Sequence, residues 1–150
     1  MANTFTNLLF HIIFSTKNRE PVIAPEFRPE LFAYIGGIIR AENGILLAAG
    51  GMFDHVHLLA KLPPAMAVAE MVRHIKGGSS TWINEEKRVI GHFAWQAGYG
   101  AFSVSESATA NVKTYIENQQ EHHKVCSFQE EFVAFLKKHG ISYDERYIWG

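Results

Sequence analysis

Two histidines separated by one residue, His55 and His57, are the first residues of this chain whose types and spacing could do chemistry. Residues 53–62 read with period two as a strand. Val56, Leu58, Ala60 and Leu62 point one way; His55, His57, Leu59 and Lys61 point the other. The two imidazoles share a face with Cα atoms about 6.5–7 Å apart, close enough for both rings to reach one divalent ion. Alone the pair is unspecific, since the eight histidines of the chain supply roughly 0.4 such pairs by chance. The competing reading is a half-exposed strand with two solvated histidines. A second spacing lies far along the chain. Tyr115 and Gln119 are four apart, hence one turn apart on one helical face, with Asn111, Asn118 and His122 on or beside it. A phenol among amides suits a reacting or exposed group better than a core one.

The elements that must position these residues follow from periodicity. Residues 6–16 alternate: Leu8, Phe10, Ile12 and Phe14 form a core face. His11 falls on the other face with Leu9 and Ile13, either lining the site or serving a structural part. Residues 25–42 read as a helix with Pro29 in its first turn and Asn43-Gly44 as its stop. Residues 45–50 read as a strand, joined through Gly50-Gly51 to the histidine strand as an antiparallel hairpin that Pro63-Pro64 ends. Residues 66–88 are helical, with Gly77-Gly78 read as a break or a place where a phosphate backbone approaches closely. Lys76-Gly77-Gly78-Ser79-Ser80 lacks the spacing of a nucleotide-triphosphate loop.

The stretch 93–107 is rich in aromatics and glycine, and residues 101–104 read as a last strand. Its aromatics are core plugs or, failing that, stacking platforms for unpaired bases. Residues 107–124 read as one helix capped by Ser107, with Glu117, Glu121, His122 and His123 as a solvated face rather than a second metal site. Residues 127–139 form a final helix with the stripe Phe128, Phe132, Phe135 and Leu136, stopped by Gly140. The aromatic tail, Tyr143, Tyr147, Ile148 and Trp149, is expected to dock. The expected fold class is α+β: an antiparallel sheet of about four or five strands flanked by helices.

With 150 residues and 47% hydrophobic content, one domain spanning 1–150 with a proper core is expected. No apolar run is long enough to span a bilayer, and no signal-peptide layout precedes the first strand, so no membrane partner and a cytoplasmic location are expected. The single cysteine, Cys126, excludes an intramolecular disulfide and a thiolate metal cage. A net charge of -1 gives no global case for nucleic acid. The basic residues do cluster locally: Lys17 with Arg19, Arg73 with Lys76, and Lys87, Arg88 and His92. Lys17, Arg19, Arg73, Lys76, Gly77 and Ser79 are the candidate DNA contacts.

Several stretches together resemble one family. They are His11-Ile12-Ile13-Phe14-Ser15-Thr16-Lys17, Asp54-His55-Val56-His57-Leu58-Leu59, Lys76-Gly77-Gly78-Ser79-Ser80, the run from Trp95 to Val104, Val112-Lys113-Thr114-Tyr115-Ile116-Glu117-Asn118-Gln119 with Glu121-His122-His123, and Ser127-Phe128-Gln129-Glu130-Glu131-Phe132. In this order and spacing they resemble the single-tyrosine HUH transposases of the insertion-sequence 200/605 type, including those associated with repetitive extragenic palindromes. The resemblance implies a ferredoxin-like HUH endonuclease fold and homodimers that cut and rejoin single-stranded DNA beside hairpins with a divalent metal, Mg²⁺ or Mn²⁺. It implies His55, His57 and Gln119 as metal ligands. Tyr115 would be the nucleophile, leaving a 5′-phosphotyrosine link and a free 3′-hydroxyl. The helix bearing Tyr115 can, in this family, come from the partner subunit, making the site composite.

Elementary chemistry agrees with that assignment. A phenol with pKa near 10 is a poor nucleophile at neutral pH unless its proton is removed or its electrophile polarised. A hard cation on the phosphate oxygens supplies that polarisation. Two other readings compete: a non-catalytic or domesticated module that binds DNA or RNA hairpins, and a metal-dependent phosphodiesterase. The second leaves Tyr115 and Gln119 without a task.

Overall fold

A computed structural model describes residues 3–124 and 126–149. The sequence alternates apolar residues in four segments, which form β1 (Leu8–Ser15), β2 (Ile45–Gly51), β3 (His55–Leu62) and β4 (Gly100–Val104). These make one antiparallel sheet in the order β2-β3-β1-β4. The α+β class and the four-stranded count are as expected. Register is set by the central pair, with Ser15 opposite His55, Ile13 opposite His57 and His11 opposite Leu59. A one-residue slip would turn both histidines to the other face, so the apolar alternation of β1 and β3 fixes the site as well as the core.

The two faces carry different helices. Ile12, Phe14, Val56, Leu58 and Ala60 lie under α1 (Arg28–Ala41) and α2 (Val68–Glu85), where Leu31, Ile35, Ile39, Met71, Val72 and Ile75 complete the main core. The opposite face is split. Leu59 packs with Ile116 of α3 (Thr109–Glu117), and Ile13 and Phe102 pack with Phe128, Phe132 and Leu136 of α5 (Phe128–Lys138). A single turn, α4 (Gln119–His122), joins them. Between these two small cores sits the side of β3 that carries the histidines.

Four expectations change. Gly77 and Gly78 lie inside a continuous α2 rather than at a break. A Cβ at Gly78 would lie 2.7 Å from Ile38 Cδ1, so the missing side chain serves close approach of α1 and α2. The helix expected over 107–124 is interrupted at Asn118, whose φ of −102° and ψ of 29° leave the helical range. Ser107 caps nothing: the α3 N-cap is Ala108, with no side-chain bond, and Ser107 Oγ pairs with Ser105 Oγ instead. The His strand is buried, with His55 1% and His57 0% exposed, so neither imidazole is solvated. By contrast Ser127 closes a full capping box with Glu130 and starts α5 where expected.

The aromatic stretch is mostly core. Phe93, Trp95 and Phe102 are buried, whereas Tyr99 is partly open. In the tail, Tyr143, Ile148 and Trp149 pack against the α5 core, while Tyr147 stays exposed. Among the described residues no helix is long and apolar enough to cross a membrane.

Candidate active site and metal centre

The site is built where β3 presents its histidines to α3, α4 and α5. Each of three imidazoles has a partner on Nδ1. His55 Nδ1 lies 2.7 Å from Asp54 Oδ1, His57 Nδ1 lies 2.8 Å from His11 Nε2, and His123 Nδ1 lies 2.6 Å from the Cys126 carbonyl oxygen. A carboxylate and a carbonyl only accept, so His55 and His123 carry their proton on Nδ1 and turn Nε2 inward. The same tautomer for His57 makes His11 Nε2 the acceptor. Supporting groups of this kind are what orient metal-ligating imidazoles.

The inward atoms converge on one carboxylate. Glu131 Oε1 lies 2.9 Å from His57 Nε2, 3.3 Å from His123 Nε2 and 3.6 Å from His55 Nε2. Gln119 Oε1 lies 3.2 Å from His55 Nε2 and 2.9 Å from His123 Nε2. Lone pairs of nitrogen and oxygen facing one another within such distances repel unless a proton or a cation lies between them. One ligand atom from each of His55, His57, His123 and Glu131 falls within 4.8 Å of the others, so this set can hold a metal ion. The donor chemistry therefore fits a divalent cation.

The other oxygen of Glu131 faces the tyrosine. Tyr115 Oη donates to Glu131 Oε2 and lies 3.1 Å from His122 Nε2. The Tyr115 and His57 rings are 5.9 Å apart. Tyr115 and the histidine pair thus meet within one protomer. Gln119 also turns back, its Nε2 donating to the Tyr115 carbonyl at 3.3 Å. The break at Asn118 lets the two stay adjacent although the helix between them is interrupted.

Burial sets the charge states. Desolvation, followed by the neighbouring His57, lowers His11 to about 3. Desolvation likewise lowers His57 to about 4, against the opposing pull of Glu131. Both are neutral at pH 7, the form in which an imidazole ligates. Burial would raise Glu131, but the facing His123 and His57 side chains outweigh it and hold the carboxyl below the usual range. Burial lowers His123, yet its bond to Glu131 leaves it raised overall. Burial first, then the bond to Glu131, pushes the Tyr115 phenol above its ordinary value.

Sequence reasoning located His55, His57, Tyr115 and Gln119, and the structure gathers all four. It missed Glu131 and His123, and read His122-His123 as solvated; His123 instead joins the cluster because its ring folds under the α4 turn onto Glu131. Both misses had a signal. Glu131 stands on the apolar stripe of α5, three residues after Phe128 and four before Phe135, where an ionised carboxylate needs partners. His123 stands four after Gln119 and so on its face.

The candidate DNA contacts lie apart from this cluster. Arg73, Lys76 and Gly77 line a groove of about 600 Å³ between α2 and residues 92–99, together with His92 and Tyr99; no carboxylate lines it. Lys76 Nζ donates to the carbonyl oxygens of Gln96 (2.8 Å) and Gly98, and burial lowers it to about 8. Ser79 departs from expectation: it is 0% exposed, donating to the Ile75 carbonyl and accepting from Trp95 Nε1, so it faces the core. Lys17 is exposed, and the Arg19 guanidinium lies over Trp149.

Known proteins resemble the chain along most of its length. It is 28% identical over 130 residues to the transposase for insertion sequence element IS200 of Salmonella typhimurium, covering 83% of this chain and 85% of that one. It is 30% identical over 120 residues to the ISDra2 transposase TnpA of Deinococcus radiodurans, covering 76% and 85%. A crystal structure described as a transposase of Deinococcus radiodurans superposes with a TM-score of 0.63 at 28% identity, over 79% of this chain and 95% of that one. A REP-associated tyrosine transposase bound to a REP hairpin shares the fold, with a TM-score of 0.60 at 14% identity, over 82% and 73%. The family model for IS200-like transposases matches residues 4–119, a span that includes His55, His57, Tyr115 and Gln119 and stops short of His123 and Glu131. The chain belongs to the IS200-like transposase family, and so to the enzymes that cleave and transfer DNA.

Proposed function

We propose that this chain cuts and rejoins single-stranded DNA beside hairpins through a 5′-phosphotyrosine intermediate, with Tyr115 as nucleophile. The observation that carries this reading is the placement of the Tyr115 hydroxyl and the His55–His57 pair on opposite oxygens of one buried carboxylate, Glu131. His55, His57 and Gln119 would hold the divalent ion, with His123 and Glu131 beside them as further donors. When bound, that ion polarises the scissile phosphate and offsets its charge. Mg²⁺ or Mn²⁺ is the proposed metal, and the imidazole-rich donor set favours Mn²⁺ in vitro.

The residues of the chain do the rest. Tyr115 Oη forms the new bond to phosphorus as the bond from phosphorus to the 3′-oxygen breaks. The phenol proton passes to Glu131, which already accepts that hydrogen bond, and the departing 3′-oxygen takes a proton from water. The reverse attack by a 3′-hydroxyl reseals a strand without a nucleotide cofactor, because the phosphoester is kept in the tyrosyl link. The carboxylate-free groove with Arg73, Lys76, Gly77 and Tyr99 supports contact with the DNA backbone and with unpaired bases. A homodimer is proposed from the family resemblance. The meeting of Tyr115 and the histidines within one chain supports a site complete in each protomer. Both helical layers pack on one sheet, which supports reading the chain as a single domain.

The test is incubation with hairpin-bearing single-stranded oligonucleotides and Mg²⁺ or Mn²⁺, followed by denaturing electrophoresis. A denaturant-stable adduct is expected, retained in Tyr99→Phe and lost in Tyr115→Phe. Cleavage by water with no adduct would favour a metal phosphodiesterase. Metal-independent hairpin binding without cleavage would favour a binding module.

A further inference from the structure

A cavity of about 470 Å³ opens directly beside the Tyr115 hydroxyl, between α3 and α5. Its inner wall is Tyr115, His11 and Glu131; its sides are Val112, Ala134 and Phe135. Lys138 stands exposed at its rim. The lining is chiefly apolar and aromatic, and the volume lies within the roughly 300–1,000 Å³ of small-ligand clefts. Four of its eleven lining residues, Glu131, Ala134, Phe135 and Lys138, come from α5, beyond the residues 4–119 that the family model matches.

We propose that this cavity receives the base of the nucleotide whose 5′-phosphate becomes joined to Tyr115. The inference rests on the role proposed for Tyr115 and adds where the substrate goes. In-line displacement puts the departing 3′-oxygen on the side of the phosphorus away from the tyrosine. The upstream nucleotide therefore leaves in the direction opposite the phenol. The downstream nucleotide remains attached through its 5′-oxygen, beside the phenol, and is the one whose base can reach a cavity that the phenol lines. Its single-stranded base has no partner, so stacking on the half-buried Phe135 ring replaces stacking lost from the strand. The Phe135 and His11 ring centroids are 5.0 Å apart at 86°, forming a corner rather than a flat floor. Lys138 at the rim complements the next phosphate of the same strand. The contact is with the face of the base, so it demands that a base be present more than it selects which one.

The experiment compares initial rates of adduct formation on the hairpin oligonucleotide that gives most adduct, using the parent strand and the same strand made abasic at the nucleotide joined to Tyr115. In the wild-type chain the abasic strand is expected to react at least ten-fold more slowly. Ala134→Trp, which fills the cavity from an exposed helical position, is expected to slow the parent strand to a similar degree and to leave the abasic strand within about two-fold of its wild-type rate. Abasic and parent strands reacting alike in the wild-type chain would overturn the proposal, and that arm does not depend on the variant folding. Multiplying effects of Ala134→Trp and the abasic change would overturn it too. Absence of adduct from every oligonucleotide would instead overturn the role of Tyr115 and this inference with it, so the two failures are distinct.

Discussion

At the scale of single residues, Glu131 is the group on which the site turns. Its Oε1 faces three imidazoles and its Oε2 faces the phenol, all in a pocket where the carboxylate is 2% exposed. Glu131→Gln keeps the shape but cannot accept the phenol proton; the rate of adduct formation is expected to fall by about 10²-fold or more, measured in single turnover. Removing the Glu131 charge should also lower the raised His123 toward its ordinary value, visible by NMR titration. The histidines make a separate prediction about acid. His57 titrates near 4 when folded, against 6.5 for the unconstrained group. Between those values the unfolded chain binds the proton and the folded chain does not, so stability is full above about pH 6.5 and falls as pH drops toward 4. The loss from His57 alone is on the order of 3 kcal/mol in metal-free protein. Urea unfolding at pH 7 and pH 5 checks it; no fall on acidification would contradict neutral burial of His57. Local spacing singled out His55 with His57 and Tyr115 with Gln119; the family resemblance joined the two pairs into one site. Glu131 showed only as a carboxylate on the apolar stripe of α5; what it would face depends on α5 folding back across the sheet, which that stripe does not record.

Among the elements, α3 is held against β2 by the absence of a side chain. A Cβ on Gly50 would lie 2.0 Å from the Ile116 carbonyl oxygen, which is backbone and cannot swing aside. Gly50→Ala is therefore expected to push α3 outward, costing roughly 1–3 kcal/mol of stability and lowering adduct yield because Tyr115 travels with that helix. Gly77 is the opposite case: a Cβ there meets nothing within 4 Å. Gly77→Ala should raise stability by about 0.5–1 kcal/mol, read as a higher melting temperature. If the α2 groove carries DNA backbone against Gly77, the same variant binds hairpins more weakly while melting later. Period and capping signals made these elements legible: the strands, α1 and the Ser127 start of α5 follow their sequence cues. The Gly77-Gly78 pair misled, since low helix propensity reads as a break until a packed neighbour, here Ile38, gives the gap a use. The interruption at Asn118 carried no cue of comparable strength, because Asn tolerates both helix and non-helix geometry.

For the whole molecule, charge and topology divide the work between two faces. One face of the sheet builds the main core under α1 and α2, and the other gathers the histidines, the phenol and Glu131. A net charge of -1 means that attraction to DNA must be local, and the carboxylate-free groove beside α2 with Arg73 and Lys76 is the place proposed for it. Arg73→Gln is expected to weaken hairpin binding across sequences alike and to reduce the salt slope of binding by about one, measured by fluorescence anisotropy over a salt series. An unchanged slope would take Arg73 out of the interface. The central claim concerns one atom, the hydroxyl oxygen of Tyr115. Peptide mass spectrometry of the protein–DNA adduct, after nuclease trimming, locates the attached nucleotide on a single side chain. The account predicts a 5′-linked nucleotide on Tyr115; the same mass on any other residue, or no nucleotide on any peptide from an active preparation, would contradict it.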